Sequence, residues 1–326
     1  MGDGSRGRRI RVIWNATAGS KAGLTTNQAT VDEMRSLLAR HGLGDELVES
    51  TSEEHARQSA REAAEAGYDL VVAAGGDGTV GMVADELVGR DAALGILPLG
   101  TVMNIARMLG LPRDLEGAAE ILAHGERRTI DVGTADGRSF YETGSVGMNA
   151  AIFRESNRLG EGNLRSLARG IRIAFRYRPS RMILHLDEGK VQHRAMMVTV
   201  ANGPYSGMGL TLAPDASLDD GLLDVRVFRH FSKLDLLRHT LSLALGRRPY
   251  SPHVTDYRSR SVRIGSHHPL PTRADSQDLG TTPVEFGLRP RALNVMAAAG
   301  AAGPLGSPSS HDAAPTPAER SEEVKR

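Results

Sequence analysis

Residues 69–79 read Asp-Leu-Val-Val-Ala-Ala-Gly-Gly-Asp-Gly-Thr, and this stretch decides the fold. Positions 69–74 carry a continuous apolar run after the first residue. That is the pattern of a strand covered on both faces. The strand passes without a linker into Gly75-Gly76-Asp77-Gly78-Thr79, and residues 80–88 have helical character. Glycines at such a junction allow positive φ and let backbone N–H groups approach an anion. The helix N-terminus adds its dipole, so a phosphate is the natural occupant. Thr79 can supply a hydroxyl. Asp77 is unusual in a pure anion cradle: a carboxylate among phosphates points to a metal ion, a ribose or a proton being handled.

The same alternation extends to either side. Residues 10–14 form a short apolar strand that ends in Asn15-Ala16-Thr17-Ala18-Gly19. Val31, Met34, Leu37 and Leu38 have helical spacing, and Gly42 is a stop signal. Thr51 followed by Glu54 reads as a capping box, opening a helix through residue 64. Residues 94–99 form another strand, followed by Gly100-Thr101 and a helix through residue 109. Asp114 caps the next helix. Strands alternating with helices predict an α/β unit with a mostly parallel sheet. Near Thr129 the pattern changes to strands at 129–132, 139–141, 182–186, 195–201, 223–228 and 261–264. Asp187-Glu188-Gly189-Lys190 is a hairpin turn. Helical stretches interrupt at 164–176 and 234–245. The second half is therefore largely antiparallel, and the tail 297–326, rich in Ala, Gly, Pro and Ser, is expected to be disordered.

Composition excludes several classes. The chain has 326 residues and a formal net charge of +1, so no global basic field draws nucleic acid to it. Aromatics at 4% are too few for a base-stacking surface. Cysteine is absent, which removes disulfides, thiolate catalysis and cysteine metal sites. Lysine occurs only at Lys21, Lys190, Lys233 and Lys325, and none completes a P-loop. No apolar run reaches the roughly 20 residues that span a bilayer. The basic N-terminus lacks the apolar core of a signal peptide. The expected location is cytoplasmic, with peripheral contact to the inner face of the membrane left open.

Gly76-x-Gly78-x-x-Gly81 also matches a dinucleotide-binding fingerprint. That pattern requires an acid at the end of the next strand, and Gly100-Thr101 stands there instead. A different resemblance covers nearly all of the ordered chain. The stretch 69–79, followed by Leu97-Pro98-Leu99-Gly100-Thr101, resembles the diacylglycerol kinase catalytic domain family. That family includes bacterial lipid kinases and sphingosine kinases and is related in fold to NAD kinases. The likeness continues through Ile130-Asp131-Val132-Gly133, Asn202-Gly203, Pro214, and Asp219-Asp220-Gly221-Leu222-Leu223-Asp224-Val225. It ends at Thr282-Pro283-Val284-Glu285-Phe286. The resemblance implies an α/β diacylglycerol kinase catalytic domain at 9–128 and a β-sandwich-like lipid-substrate domain at 129–286. It further implies a strand at 287–296 returning to the first domain, and ATP in the cleft between the two. Three positions depart from the family pattern. Ala16 replaces a proline, Met103-Asn104 stand where the family often has Asn-Asp, and Asp275-Ser276-Gln277 replaces Asp-Gly-Glu.

Site residues follow from the loop chemistry and the resemblance together. Gly75, Gly76, Asp77, Gly78 and Thr79 are expected nucleotide contacts. Thr101, at a strand end, is either a contact or a helix cap. Thr51 resembles a nucleotide-contacting threonine, although a cap explains it equally. Lys21 either reaches a phosphate or is a surface charge. The resemblance carries a structural Mg²⁺ onto the Asp220 carboxylate with the backbone carbonyls of Ser217 and Leu222, a chemically sufficient oxygen set. It makes Asp275 the base for a lipid hydroxyl, with Asp278 as the rival. Residues 158–181 hold seven arginines and one acid, Glu161. Arg165, Arg169, Arg172 and Arg176 share one helical face beside an apolar one, as an interfacial helix on anionic lipid requires, although an ordinary solvated helix shows the same pattern. The implied activity is ATP-dependent phosphorylation of diacylglycerol or a related lipid alcohol. An NAD kinase, or a lipid-binding regulator with little kinase activity, is the alternative. A homodimer stays open.

Overall fold

The computed structural model describes residues 8–16, 18, 27, 29–44, 46–159, 169–170, 172–174, 176–207, 209–229 and 254–298. The first half runs β1 (Ile10–Trp14), α1 (Val31–Arg40), β2 (Leu47–Glu49), α2 (Glu53–Glu65), β3 (Leu70–Gly75), α3 (Asp77–Leu87), β4 (Ala93–Pro98), α4 (Asn104–Met108) and α5 (Leu115–His124). The second half begins with β5 (Glu126–Ala135), β6 (Arg138–Phe140), β7 (Thr143–Gly147) and α6 (Met148–Leu159). It continues with β8 (Ser180–Leu186), β9 (Gly189–Ala195), β10 (Met197–Ala201), β11 (Tyr205–Ser206), β12 (Leu210–Thr211) and β13 (Leu223–Phe228). The last strands are β14 (Val254–Ser259), β15 (Ser261–Ser266), β16 (Pro271–Ala274), β17 (Gln277–Thr281) and β18 (Val284–Ala297).

Strands β2-β1-β3-β4 are parallel neighbours in that order. Leu70, Val72 and Ala74 of β3 face the core under α1 and α5, with Met34, Leu38 and Leu122. Val71 and Ala73 face the opposite core, with Ala60 of α2 and Val80 and Val83 of α3. Burial on both faces is why this strand reads as an unbroken apolar run. β18 then joins the two halves. Near its end Val295 pairs with Leu94 of β4, while its start pairs with β15, so one ten-stranded sheet runs through both halves. Opposite the outer part of that sheet lies the antiparallel sheet β14-β13-β10-β7-β16-β17. Between the two sheets sit Val146, Leu184, Val198, Val225, Ile264 and the edge-to-face pair Phe140–Phe286, with ring centroids 6.0 Å apart. The rings fit because Gly133 and Gly144 have no side chain. A Cβ at Gly144 would lie 2.2 Å from Phe286 Cε1.

Several local expectations are corrected. α3 starts at Asp77, inside the glycine run, because helical first-turn positions need no preceding partners. Positive φ is not used there: Gly76 has φ −87° and ψ 178°. The helix after β2 is capped by Ser52, whose hydroxyl accepts the His55 N–H at 3.1 Å. Thr51 lies one residue outside it, with its hydroxyl 3.2 Å from His55 Nδ1. A full capping box occurs instead at α1, between Thr30 and Glu33. The stretch 234–245, Lys21, residues 160–168 and the tail from 299 onward lie outside the described residues.

Candidate active site

Chain order and sheet order part company at β1, which has β2 on one side and β3 on the other. In open α/β sheets ligands sit at the carboxyl ends of the strands flanking such a point. Here Asn15, just past β1, donates its side-chain N–H to Thr79 Oγ1 across the gap at 3.2 Å. Thr51 lies past the end of β2, the glycine run ends β3, and Gly100-Thr101 follow β4. Every expected nucleotide contact thus falls on one edge. Gly76 caps α3 with no side-chain hydrogen bond. A Cβ at Gly78 would meet nothing within 4 Å, and one at Gly76 would meet only Gly100 Cα at 3.7 Å. The glycines therefore clear space above a helix N-terminus with no side-chain cap, which is what an anionic phosphate requires. A cavity of about 400 Å³ opens beside them, lined by Asn27, Pro98, Gly100, Met103, Arg113 and Asp114. Thr79 is buried in the first turn of α3, so its hydroxyl braces Asn15. Thr101 accepts the Arg113 guanidinium on its carbonyl at 2.6 Å, fixing the loop after β4.

Asp77 begins a run of acid contacts that leads away from the glycines. Its Oδ2 accepts the Met103 N–H at 2.9 Å, and its Oδ1 is buried with no partner. Burial raises its pKa against the backbone N–H groups that lower it. Met103 has φ +55°, an unusual left-handed conformation for a bulky residue, and it places Asn104 at the start of α4. Asn104 donates to Glu142 Oε2 at 2.7 Å. Beside it, Asp275 lies at the tip of the β16–β17 hairpin, φ +45°, with its carboxylate turned onto the start of β7. Burial pushes Asp275 up to about 6, although backbone donors from Tyr141, Glu142 and Thr143 pull it down. Glu142 is raised well above the usual carboxylate range, by burial first and then by Asp275 and Asp77. Asp278 lies apart, exposed and paired with Arg154 at 2.5 Å.

At the Ser217, Asp220 and Leu222 loop the Asp220 carboxylate is engaged by neighbouring groups of the chain. Asp220 Oδ1 accepts the Leu222 N–H at 3.0 Å, and its Oδ2 pairs with the Arg258 guanidinium. The Ser217 hydroxyl donates to Asp219 Oδ1 at 2.6 Å. Among the described residues no three acidic or histidine side chains are arranged to share a metal ion, a different arrangement from one carboxylate with two backbone carbonyls. Arg258 also approaches Asp224, at 3.7 Å. Asp131 staples the same loop: it accepts Gly221 N–H and Arg291 N–H, each at 2.7 Å.

The diacylglycerol kinase catalytic domain model matches residues 9–135, and the YegS C-terminal NAD kinase beta sandwich-like domain matches 143–297. A probable lipid kinase YegS-like protein of Enterobacter sp. (strain 638) is 31% identical over 72% of this chain and 79% of its own. The chain belongs to the diacylglycerol kinase catalytic domain family. A relative from Chromohalobacter salexigens with the same description is 34% identical over 74% of this chain and 80% of its own. A Bacillus subtilis protein named diacylglycerol kinase is 27% identical over 86% of this chain and 93% of its own. A crystal structure of a diacylglycerol kinase from Bacillus anthracis str. Sterne superposes with a TM-score of 0.70 at 19% identity, covering 90% of this chain and 98% of that one, and shares its fold.

As a member of this lipid kinase family the chain has one acid that sequence reasoning passed over. Glu142 stands between the buried Tyr141 and Thr143, and only its contacts with residues 38 and 65 positions away reveal it. Arg169, Arg172 and Arg176 are exposed on helical residues, with Arg169 paired to Glu155 at 2.8 Å. Arg165 lies outside the described residues. Among the described residues no helix is long and apolar enough to cross a membrane.

Proposed function

We propose that this protein transfers the γ-phosphoryl group of ATP to the hydroxyl of diacylglycerol or a related lipid alcohol. The observation that carries this reading is the bare N-terminus of α3. It has no side-chain cap, it is cleared by Gly76 and Gly78, and it lies on the carboxyl edge of the parallel sheet. Gly75–Thr79 would hold the phosphates there, with Thr51 and Thr101 on either side. Asp77 Oδ1 is buried without a partner, so a cation escorting the phosphates would relieve it. Mg²⁺ bound to ATP supplies charge neutralisation for the departing diphosphate. Glu142, which Asn104 links to the nucleotide end, would offer its carboxylate to an incoming hydroxyl. The exposed Arg172 and Arg176 give a face that suits the anionic inner leaflet, where such a substrate resides.

The test is phosphoryl transfer from labelled ATP with Mg²⁺, offering diacylglycerol, phosphatidylglycerol, sphingosine and NAD in parallel. Label in a lipid product is the expected result. Label in NAD alone would replace the reading by a dinucleotide kinase, and label in none would replace it by a binding function.

A further inference from the structure

Asp275 is poorly placed to receive a proton. Its Oδ2 accepts the Tyr141 N–H at 2.7 Å, and its Oδ1 accepts the Glu142 and Thr143 N–H groups at 3.0 Å each. An ionised carboxylate has about four acceptor sites, so three of them are filled by the backbone. The Asp275 N–H in turn donates to the Thr143 carbonyl at 3.0 Å. Four hydrogen bonds lace this hairpin tip to three consecutive residues. The result is a splint for the chain entering β7.

Glu142 is the side chain that the splint aims. Its Oε2 is fixed by Asn104 Nδ2 at 2.7 Å and by the Gly207 N–H at 3.2 Å. Its carbonyl is fixed by the Asn202 and Gly203 N–H groups at 3.0 and 3.2 Å. Its Oε1 accepts no hydrogen bond among the described residues and is not sealed off, and the residue keeps 8% exposure. The charged groups facing it are Asp275 from the hairpin, Asp77 from α3 and Arg273 from β16. The contacts Asp77–Met103 and Asn104–Glu142 tie it to the nucleotide end through two adjacent residues. One carboxylate is thus saturated, and the neighbouring one has a free oxygen.

We propose that Glu142 accepts the proton of the acceptor hydroxyl, and that Asp275 is the positioning residue that holds Glu142 in place. The inference rests on the kinase reading above. In the step, the hydroxyl oxygen forms a bond to the γ-phosphorus while the bond to the β–γ bridging oxygen breaks. ADP leaves with that electron pair, the hydroxyl proton passes to Glu142 Oε1, and it is later released to water. Both carboxyls must be weighed in the pH dependence, because they repel one another and neither titrates alone.

The experiment compares wild type, Glu142→Gln, Glu142→Asp, Asp275→Asn and Asp278→Asn. Turnover of diacylglycerol with Mg·ATP is followed from pH 5 to 9, together with ATP affinity by calorimetry and the melting temperature. Glu142→Gln is expected to keep the melting temperature and ATP affinity and to lose about 10²–10⁴-fold in kcat. The rise of kcat with pH, present in wild type, should vanish with it. Glu142→Asp should retain part of kcat together with that rise. Asp275→Asn should lower the melting temperature and raise KM, yet keep the rise, and Asp278→Asn should match wild type. A Glu142→Gln variant within threefold of wild type in kcat would overturn the proposal, as would a pH rise lost only in Asp275→Asn. A wild type that phosphorylates no alcohol would overturn the kinase reading and this proposal together.

Discussion

Gly78→Ala separates the folding role of the glycine run from its binding role. Gly78 sits in the first turn of α3 with ordinary φ, and an added Cβ meets nothing within 4 Å. Replacing glycine by alanine inside a helix gains about 0.5–1 kcal/mol. For a chain of this size that raises Tm by roughly 1–3 °C. The same methyl occupies space that the phosphate needs. Losing one charge-assisted N–H to phosphate bond costs about 1.5–3 kcal/mol, or about 10- to 150-fold in Kd. The expected variant is therefore slightly more stable and a much weaker ATP binder. Gly100→Ala is the contrasting case, because its Cβ would stand 2.8 Å from Gly76 Cα and 2.7 Å from Met103 Sδ, and it should lower Tm. Scanning calorimetry gives Tm and titration calorimetry gives ATP affinity. A Gly78→Ala protein with raised Tm and ATP affinity within threefold of wild type would refute the cradle. A drop of several degrees would refute the first-turn placement.

Three further outcomes are expected. Gly144→Ala pushes a methyl to within 2.2 Å of Phe286 and should cost about 1–3 kcal/mol by overpacking, read as a lower denaturation midpoint with m unchanged. The Arg260 N–H, and then the Ser261 hydroxyl, hold Asp187 below the usual carboxylate range, so it adds stability above its unfolded pKa and loses it as pH falls through the depressed one. The stability gap between wild type and Asp187→Asn should then be larger at pH 7 than at pH 3, and a gap that widens on acidification would reverse the sign. Removing Arg172 and Arg176 together, each worth about 1 kcal/mol near an anionic surface, should weaken binding to anionic vesicles about 30-fold at low salt. If wild type does not sediment with such vesicles, that helix is a solvated element.

How much of this was legible in the sequence depends on how local each signal is. The strand ending in the glycine run needed only its own residues, since burial on both faces leaves an unbroken apolar string. The helix that follows starts earlier than its apolar spacing suggests. Gly76 and Gly78 argue against helix interiors, and that argument has no force in the first turn. For β18 the resemblance implied a strand at 287–296, across Pro290, and the structure starts it three residues earlier, at Val284. The structure bridges the proline by a register shift opposite Asp131, whose carboxylate accepts the Arg291 N–H. A proline is tolerated within a strand at such an irregularity. The acids show the limit most sharply. Asp275 was found by its position near Thr282-Pro283, but position says nothing of the three backbone donors that come from 132–134 residues away. Glu142 gave no signal of its own: one acid between a tyrosine and a threonine is ordinary at a strand end. Its chemistry exists only because β7, α4 and the β16–β17 hairpin meet. A residue whose role is set by partners on other elements becomes visible only once the chain has folded, and the division of labour between Glu142 and Asp275 is of that kind.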